Sequence, residues 1–178
     1  MGRIIFASKN EGKIKEVREI LNDPGLIISS LLDFEDDLEI IENGKTFEEN
    51  AGIKAKKAFN YFGFPAIGDD SGLMVDQLNG RPGIFSARYS GEFATGYENN
   101  SKLINELIPY PEPHLAKFVC CAVYYDKHKF IKASGEMNGK IIMKPRGENG
   151  FGYAPLFIPA GFNKTVAELE LKDKNKIN

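Results

Sequence analysis

Apolar residues come in short runs separated by polar, glycine-bearing stretches, and their spacing alternates between strand and helix. Arg3 to Ala7 is a compact apolar run and reads as a buried strand. Ile14, Val17, Ile20 and Leu21 then recur at helical spacing, with Asn10 as N-cap and Glu11 at the positive end of the dipole. Leu26 to Leu32 predicts a second strand, and Asp33 to Glu42 an acidic connection with a solvated face. Thr46-Phe47-Glu48-Glu49 fits a capping box, and Phe47, Ala51, Ala55 and Ala58 mark one face of a helix reaching about Phe59. Gly52 inside that helix costs roughly 1 kcal/mol relative to alanine, so a close neighbour is expected there.

Ala66-Ile67-Gly68 begins as a strand and runs into Asp69-Asp70-Ser71-Gly72. Taken alone, that quartet is a turn. If the strand continues instead, alternation sends Asp69 and Asp70 to opposite faces. Leu73 to Val75 is strand-like, Asn79 to Gly83 a loop, Ser86 to Gly91 a polar loop suited to a ligand, and Tyr97 to Leu107 a helix stopped by Pro109. Lys117 to Tyr125 is the strongest strand, and Asp126 to Lys129 a hairpin turn into Phe130 to Ala133. Gly139 to Met143, a glycine-rich loop from Gly147 to Tyr153, a strand from Pro155 to Ile158 and a capping box at Thr165 to Glu168 follow. Helices mixed with strands, one pair of them a hairpin, predict an α/β fold with a mixed sheet.

Composition narrows the function. The 178 residues suffice for one domain with a substantial core, room enough for two lobes, and a net charge of −2 excludes a global field for nucleic acid or an anionic membrane. No run is apolar and long enough to span a bilayer. Cys120 and Cys121 are adjacent and form no disulfide framework, which predicts a reducing, cytoplasmic setting with both thiols packed in the core. With only His114 and His128, a histidine-based metal site or triad is excluded.

Three polar features share one explanation. A strand, a small polar turn and a helix start leave unpaired N–H groups that suit an anion. Lys13, in that first turn, opposes the dipole by about a few tenths of a kcal/mol unless an anion lies between them. The paired carboxylates suit a hard cation such as Mg²⁺, and the aromatic glycine loop suits a flat base. Phosphate, metal and base together make a nucleotide.

The motifs Ser8-Lys9-Asn10-Glu11-Gly12-Lys13, Thr46-Phe47-Glu48-Glu49-Asn50-Ala51, Gly68-Asp69-Asp70-Ser71-Gly72-Leu73, Pro82 to Gly91 and Gly150-Phe151-Gly152-Tyr153 occur in that order. Over essentially the whole chain they resemble the inosine triphosphate pyrophosphatase family, house-cleaning enzymes for non-standard purine nucleotides. The resemblance implies one domain over residues 1–178, with an elongated mixed β-sheet flanked by helices in two lobes and a cleft between them. It implies Mg²⁺-dependent hydrolysis of ITP, dITP and XTP to the monophosphate and pyrophosphate by a cytoplasmic homodimer. By matching position, Ser8, Lys9, Asn10, Glu11, Gly12 and Lys13 hold the triphosphate, and Lys54 also faces phosphate. Glu42 and Asp70 are metal-linked, Asp70 is the proton acceptor, and Asp69 supports it or shares the metal. Ser71 and Arg88 touch substrate, Phe151, Gly152, Tyr153 and Ala154 line the base, and Lys174 contacts the base or the phosphates.

Two departures bear on the base. The family's Phe-Gly-Tyr/Trp-Asp run ends here in Ala154, and the chain stops at Asn178 where the family continues with a Ser-His-Arg run and a further helix. The C-terminal end therefore reads as truncated, and base selectivity is expected to weaken before the chemistry does. Two other readings stay open: a septum-inhibitor (Maf-like) pyrophosphatase with another base preference, and a catalytically silent nucleotide-binding module.

Overall fold

The computed structural model describes residues 2–35 and 37–170. Six strands lie in one mixed sheet: β1 (Gly2–Phe6), β2 (Leu26–Ser30), β3 (Ala66–Val75), β4 (His114–Tyr125), β5 (Phe130–Ile141) and β6 (Phe157–Pro159), in the order β2-β1-β3-β4-β5-β6. β1 pairs in parallel with β2 and with β3, whereas β5 and β6 are antiparallel. Three helices accompany them: α1 (Glu11–Ile20), α2 (Phe47–Phe62) and α3 (Gly96–Leu107). No described helix is long and apolar enough to cross a membrane. The α/β class expected from the sequence is the class observed.

The chain divides into two compact units. One comprises Met1–Asp70 with Cys120–Ser134, the other Ser71–Val119 with the chain from Gly135 onward. In the first unit Ile5, Ala7, Leu31, Leu38, Ala58 and Ala66 form the core, with Phe34, Phe59 and Phe62 packed against it. Alanines 51 and 55 of α2 bury against Val123 in the same unit. In the second unit Leu73, Val75, Leu103, Leu107, Leu156 and Phe157 are fully buried.

Four expectations change. Asp69 to Gly72 is not a turn: β3 runs unbroken through it. Its start is paired with β1, and Gly68, Asp69, Asp70, Gly72 and Leu73 are all buried, so nonlocal contacts outweigh local turn preference. The strands expected at 130–133 and 139–143 fuse into the single strand β5, carried across its polar middle by the strand pairing of the sheet. β2 ends at Ser30, where the Asp33 carboxylate accepts the Ser30 N–H at 2.7 Å and starts a short 3₁₀ turn. α1 buries only Ile14 of its apolar stripe, and Ile20 is 66% exposed.

The reading of α2 holds closely. Thr46 caps it through its hydroxyl, which accepts the Glu49 N–H at 3.1 Å. Glu49, however, turns back to the N–H of Lys45 rather than that of Thr46, so the box closes one residue early. A side chain at Gly52 would meet the Phe130 ring at 3.5 Å, an ordinary van der Waals contact, so the close neighbour expected there does not require glycine.

Candidate active site

The first unit gathers a cluster of charge around the end of β1, the starts of α1 and α2, and β3. Asn10 caps α1 as expected, its Oδ1 accepting the Lys13 N–H at 3.1 Å, while the Ser8 hydroxyl accepts the Asn10 N–H at 3.2 Å. Ser8 is buried, and Lys9 reaches outward to an exposed ion pair with Asp37. Glu11 is exposed and Gly12 half-buried in the first turn. Lys13 folds inward and ion-pairs with Asp69. Burial alone would lower the Lys13 pKa, but attraction to Asp69 and the hydrogen bond to it, aided by Cys120 and Asp70, leave it raised. The anion expected opposite this lysine is thus supplied, in the protein alone, by an aspartate.

Asp69 and Asp70 are both buried and reach different partners, as alternation along a strand requires. Asp69 spends Oδ2 on Lys13 and keeps a buried Oδ1 with no hydrogen-bond partner. Asp70 Oδ2 accepts from Asn50 Nδ2 at 2.9 Å. Its carboxyl is held above the ordinary range, by burial first and by the charge of Glu42 beyond that, against the lowering influence of Asn50, Lys54 and Lys13. Glu42 in turn pairs with the buried Lys54 at 3.3 Å. Among the described residues no group of three or more histidine, cysteine or acidic side chains is gathered closely enough to hold a metal by itself.

Asn50 is the member that sequence reasoning missed. Fully buried on α2, it donates to Asp70 and accepts the Gly44 N–H at 2.8 Å, tying the Asp70 carboxylate to the loop that follows Glu42. The available signal was an amide, a weak helix former, in the second turn of a small-residue face. Asn50→Leu strips two buried hydrogen bonds, one of them to a charged group, and is expected to cost about 2–4 kcal/mol. Urea denaturation measures it, and a loss below about 1 kcal/mol would contradict this account. Cys120, expected in the core, is instead exposed beside the Lys13–Asp69 pair; its thiol is pushed up to about 11, by desolvation first and by Asp69 second.

In the second unit the residues expected to meet a base separate by exposure. Phe151 is 44% exposed, whereas Tyr153 and Ala154 are buried in the core. Tyr153 Oη donates to the Ser86 carbonyl at 2.9 Å. Gly152 adopts φ +60°, a conformation that favours glycine. The Arg88 guanidinium lies over the Phe85 ring, 5.3 Å from its centre. Ser71 is half-buried on β3, one residue beyond Asp70. Lys174 lies outside the described residues. Ala154, where the resemblance implies a carboxylate, sits among Tyr153, Leu156, Val166 and Ala167 in the apolar core.

Fold and cluster define an α/β protein with a buried carboxylate–lysine site built at a strand–helix junction. Residues 4–178 match the Ham1 family, and the chain belongs to that family. It is 47% identical over 180 residues to a dITP/XTP pyrophosphatase of Geobacter sulfurreducens, covering 100% of this chain and 90% of the relative. A dITP/XTP pyrophosphatase of Desulfotalea psychrophila is 45% identical over 98% of this chain and 78% of its own length. Among solved structures, a HAM1 protein from Coxiella burnetii superposes with a TM-score of 0.89 at 38% identity, covering 100% of this chain and 92% of that one.

Proposed function

We propose that this protein hydrolyses dITP, XTP and ITP to the corresponding monophosphate and pyrophosphate. The reading rests on the relatives named dITP/XTP pyrophosphatase, matched over 90% and 78% of their length, and above all on one local observation. That observation is a buried carboxylate, Asp70, fixed by Asn50 and kept near the half-buried Lys13 and the buried Lys54. Asp70 orients and deprotonates the attacking water, while Lys13 and Lys54 offset the charge of the triphosphate. Lys13 is committed to Asp69 in the protein alone, so substrate phosphate competes with that carboxylate for it.

These oxygen donors suit a hard divalent cation only once substrate phosphate completes the set, since no three acidic side chains among the described residues are gathered to hold one alone. Asp69 keeps an orphaned buried oxygen, and the like charges of Glu42 and Asp70 repel in a way that a cation relieves. Mg²⁺ held by Glu42, Asp69 and Asp70 would supply charge neutralisation at the phosphates. Following the resemblance, we place the activity in a cytoplasmic homodimer; light scattering on the purified protein checks the assembly, and a monomer at assay concentration overturns it.

Pyrophosphate release from dITP, XTP, ITP, dATP, ATP and GTP in the presence of Mg²⁺ tests the function. Release that is fastest with the 6-keto, non-standard purines supports it, and none from any of them refutes it. Because Ala154 leaves no carboxylate at its position, discrimination between ITP and ATP is expected to be weakened with chemistry retained. A saturation series for the two nucleotides checks this; equally depressed turnover for both at saturation would sink it.

A further inference from the structure

Two adjacent asparagines in α3, Asn99 and Asn100, are 5% and 9% exposed, an unusual investment of polar groups on a helix that is otherwise buried through Leu103 and Leu107. Consecutive helical residues point about 100° apart, so the two amides serve different neighbours. Asn99 uses both arms on one loop: its Oδ1 accepts the Ser90 N–H at 2.8 Å and its Nδ2 donates to the Ala87 carbonyl at 3.1 Å. Asn100 Nδ2 donates to the Gly152 carbonyl at 3.1 Å. That carbonyl only accepts, which fixes the orientation of the amide and leaves Asn100 Oδ1 buried with no partner. A Cβ added at Gly96, one turn earlier, would lie 4.0 Å from the same carbonyl oxygen. The loops are also joined directly, by the bond from Tyr153 to Ser86.

We infer that Asn99 and Asn100 are positioning residues for base recognition, setting the 86–91 and 147–153 loops so that Arg88 and Phe151 are presented to the purine. This rests on the functional reading above. Gly152, at φ +60°, has no side chain to fix its peptide, so the bond from Asn100 orients the Gly152–Tyr153 peptide, one residue beyond Phe151. The orphaned Oδ1 is the sign that stability does not explain the residue. A buried acceptor without a partner costs free energy, and an apolar residue of similar shape would avoid that cost. α3 thus carries an amide that a purely structural helix would replace.

Asn100→Leu and Asn100→Asp test this together. Both abolish the donor to Gly152; the aspartate keeps the size of the side chain. Each is expected to raise KM for dITP at least tenfold with kcat within about threefold, and to narrow the preference for dITP over dATP. Asn100→Leu is expected to keep or raise the melting temperature. In hydrogen exchange, the Ala154 amide, which donates to the Phe151 carbonyl at 3.2 Å, is expected to lose protection in both variants. Unchanged KM and nucleotide preference, or a fall in kcat at unchanged KM, would overturn the assignment. If the wild-type protein releases no pyrophosphate, the functional reading fails on its own, and unaltered exchange at Ala154 would then reject the loop-setting role separately.

Discussion

Asp70→Asn is expected to slow pyrophosphate release by roughly 10²–10⁴ while making the metal-free protein more stable at neutral pH. The first effect is loss of the proposed base. The second follows from the direction of its pKa. Burial, with the nearby charge of Glu42, holds the Asp70 carboxyl above its ordinary value despite the bond from Asn50 and the two lysines. A carboxyl whose folded pKa is raised contributes stability that is fully present below its unfolded pKa. That contribution is lost as pH rises through the folded value, so at pH 7 the charged form is a net cost. An asparagine removes the charge, and its amide oxygen can still accept from Asn50. Thermal melts of both proteins in chelator at pH 7, and again near pH 4, check the account: the gap between them is expected to shrink in acid. A variant less stable than the parent at pH 7 would contradict it.

Gly68→Ala is expected to be the most damaging small substitution in the first unit. A Cβ at Gly68 would lie 2.2 Å from the Ala51 carbonyl oxygen and 2.6 Å from the Ala55 nitrogen, both backbone atoms of α2. A rotamer change cannot relieve contact with a helix backbone, so helix and strand must separate. Overpacking of this kind costs about 3 kcal/mol or more. Since α2 brings Asn50 and Lys54 to Asp70, turnover is expected to fall with stability. Urea titration and pyrophosphate release on the same samples test both; a variant with wild-type denaturation midpoint and activity would refute the tight crossing.

Local chemistry in this chain was legible from sequence. The cap at Asn10 and the hydroxyl cap at Thr46 each depend on residues within a turn of one another, and each is present. The opposed reach of Asp69 and Asp70 was legible too, as a conditional consequence of a strand. Whether the strand continued was not legible, because Asp-Asp-Ser-Gly favours a turn until pairing and burial, both nonlocal, override it. Asn50 escaped for a similar reason: its value lies in reaching Asp70, twenty residues away. The exposure of Cys120 depends on which elements cover β4, and no periodicity encodes that.

Neither compact unit is a continuous piece of chain. The first waits for Cys120–Ser134, which the ribosome makes only after the whole Ser71–Val119 stretch of the second. Since Val123 packs on alanines 51 and 55 of α2, the N-terminal seventy residues leave the exit tunnel with part of α2's apolar face uncovered. A nascent chain arrested before residue 120 should therefore be readily cleaved by protease within residues 47–62, and one extended past residue 134 protected. An N-terminal unit of this kind cannot be cut out as a cassette and carried to another protein, so its chemistry is inherited with the whole chain.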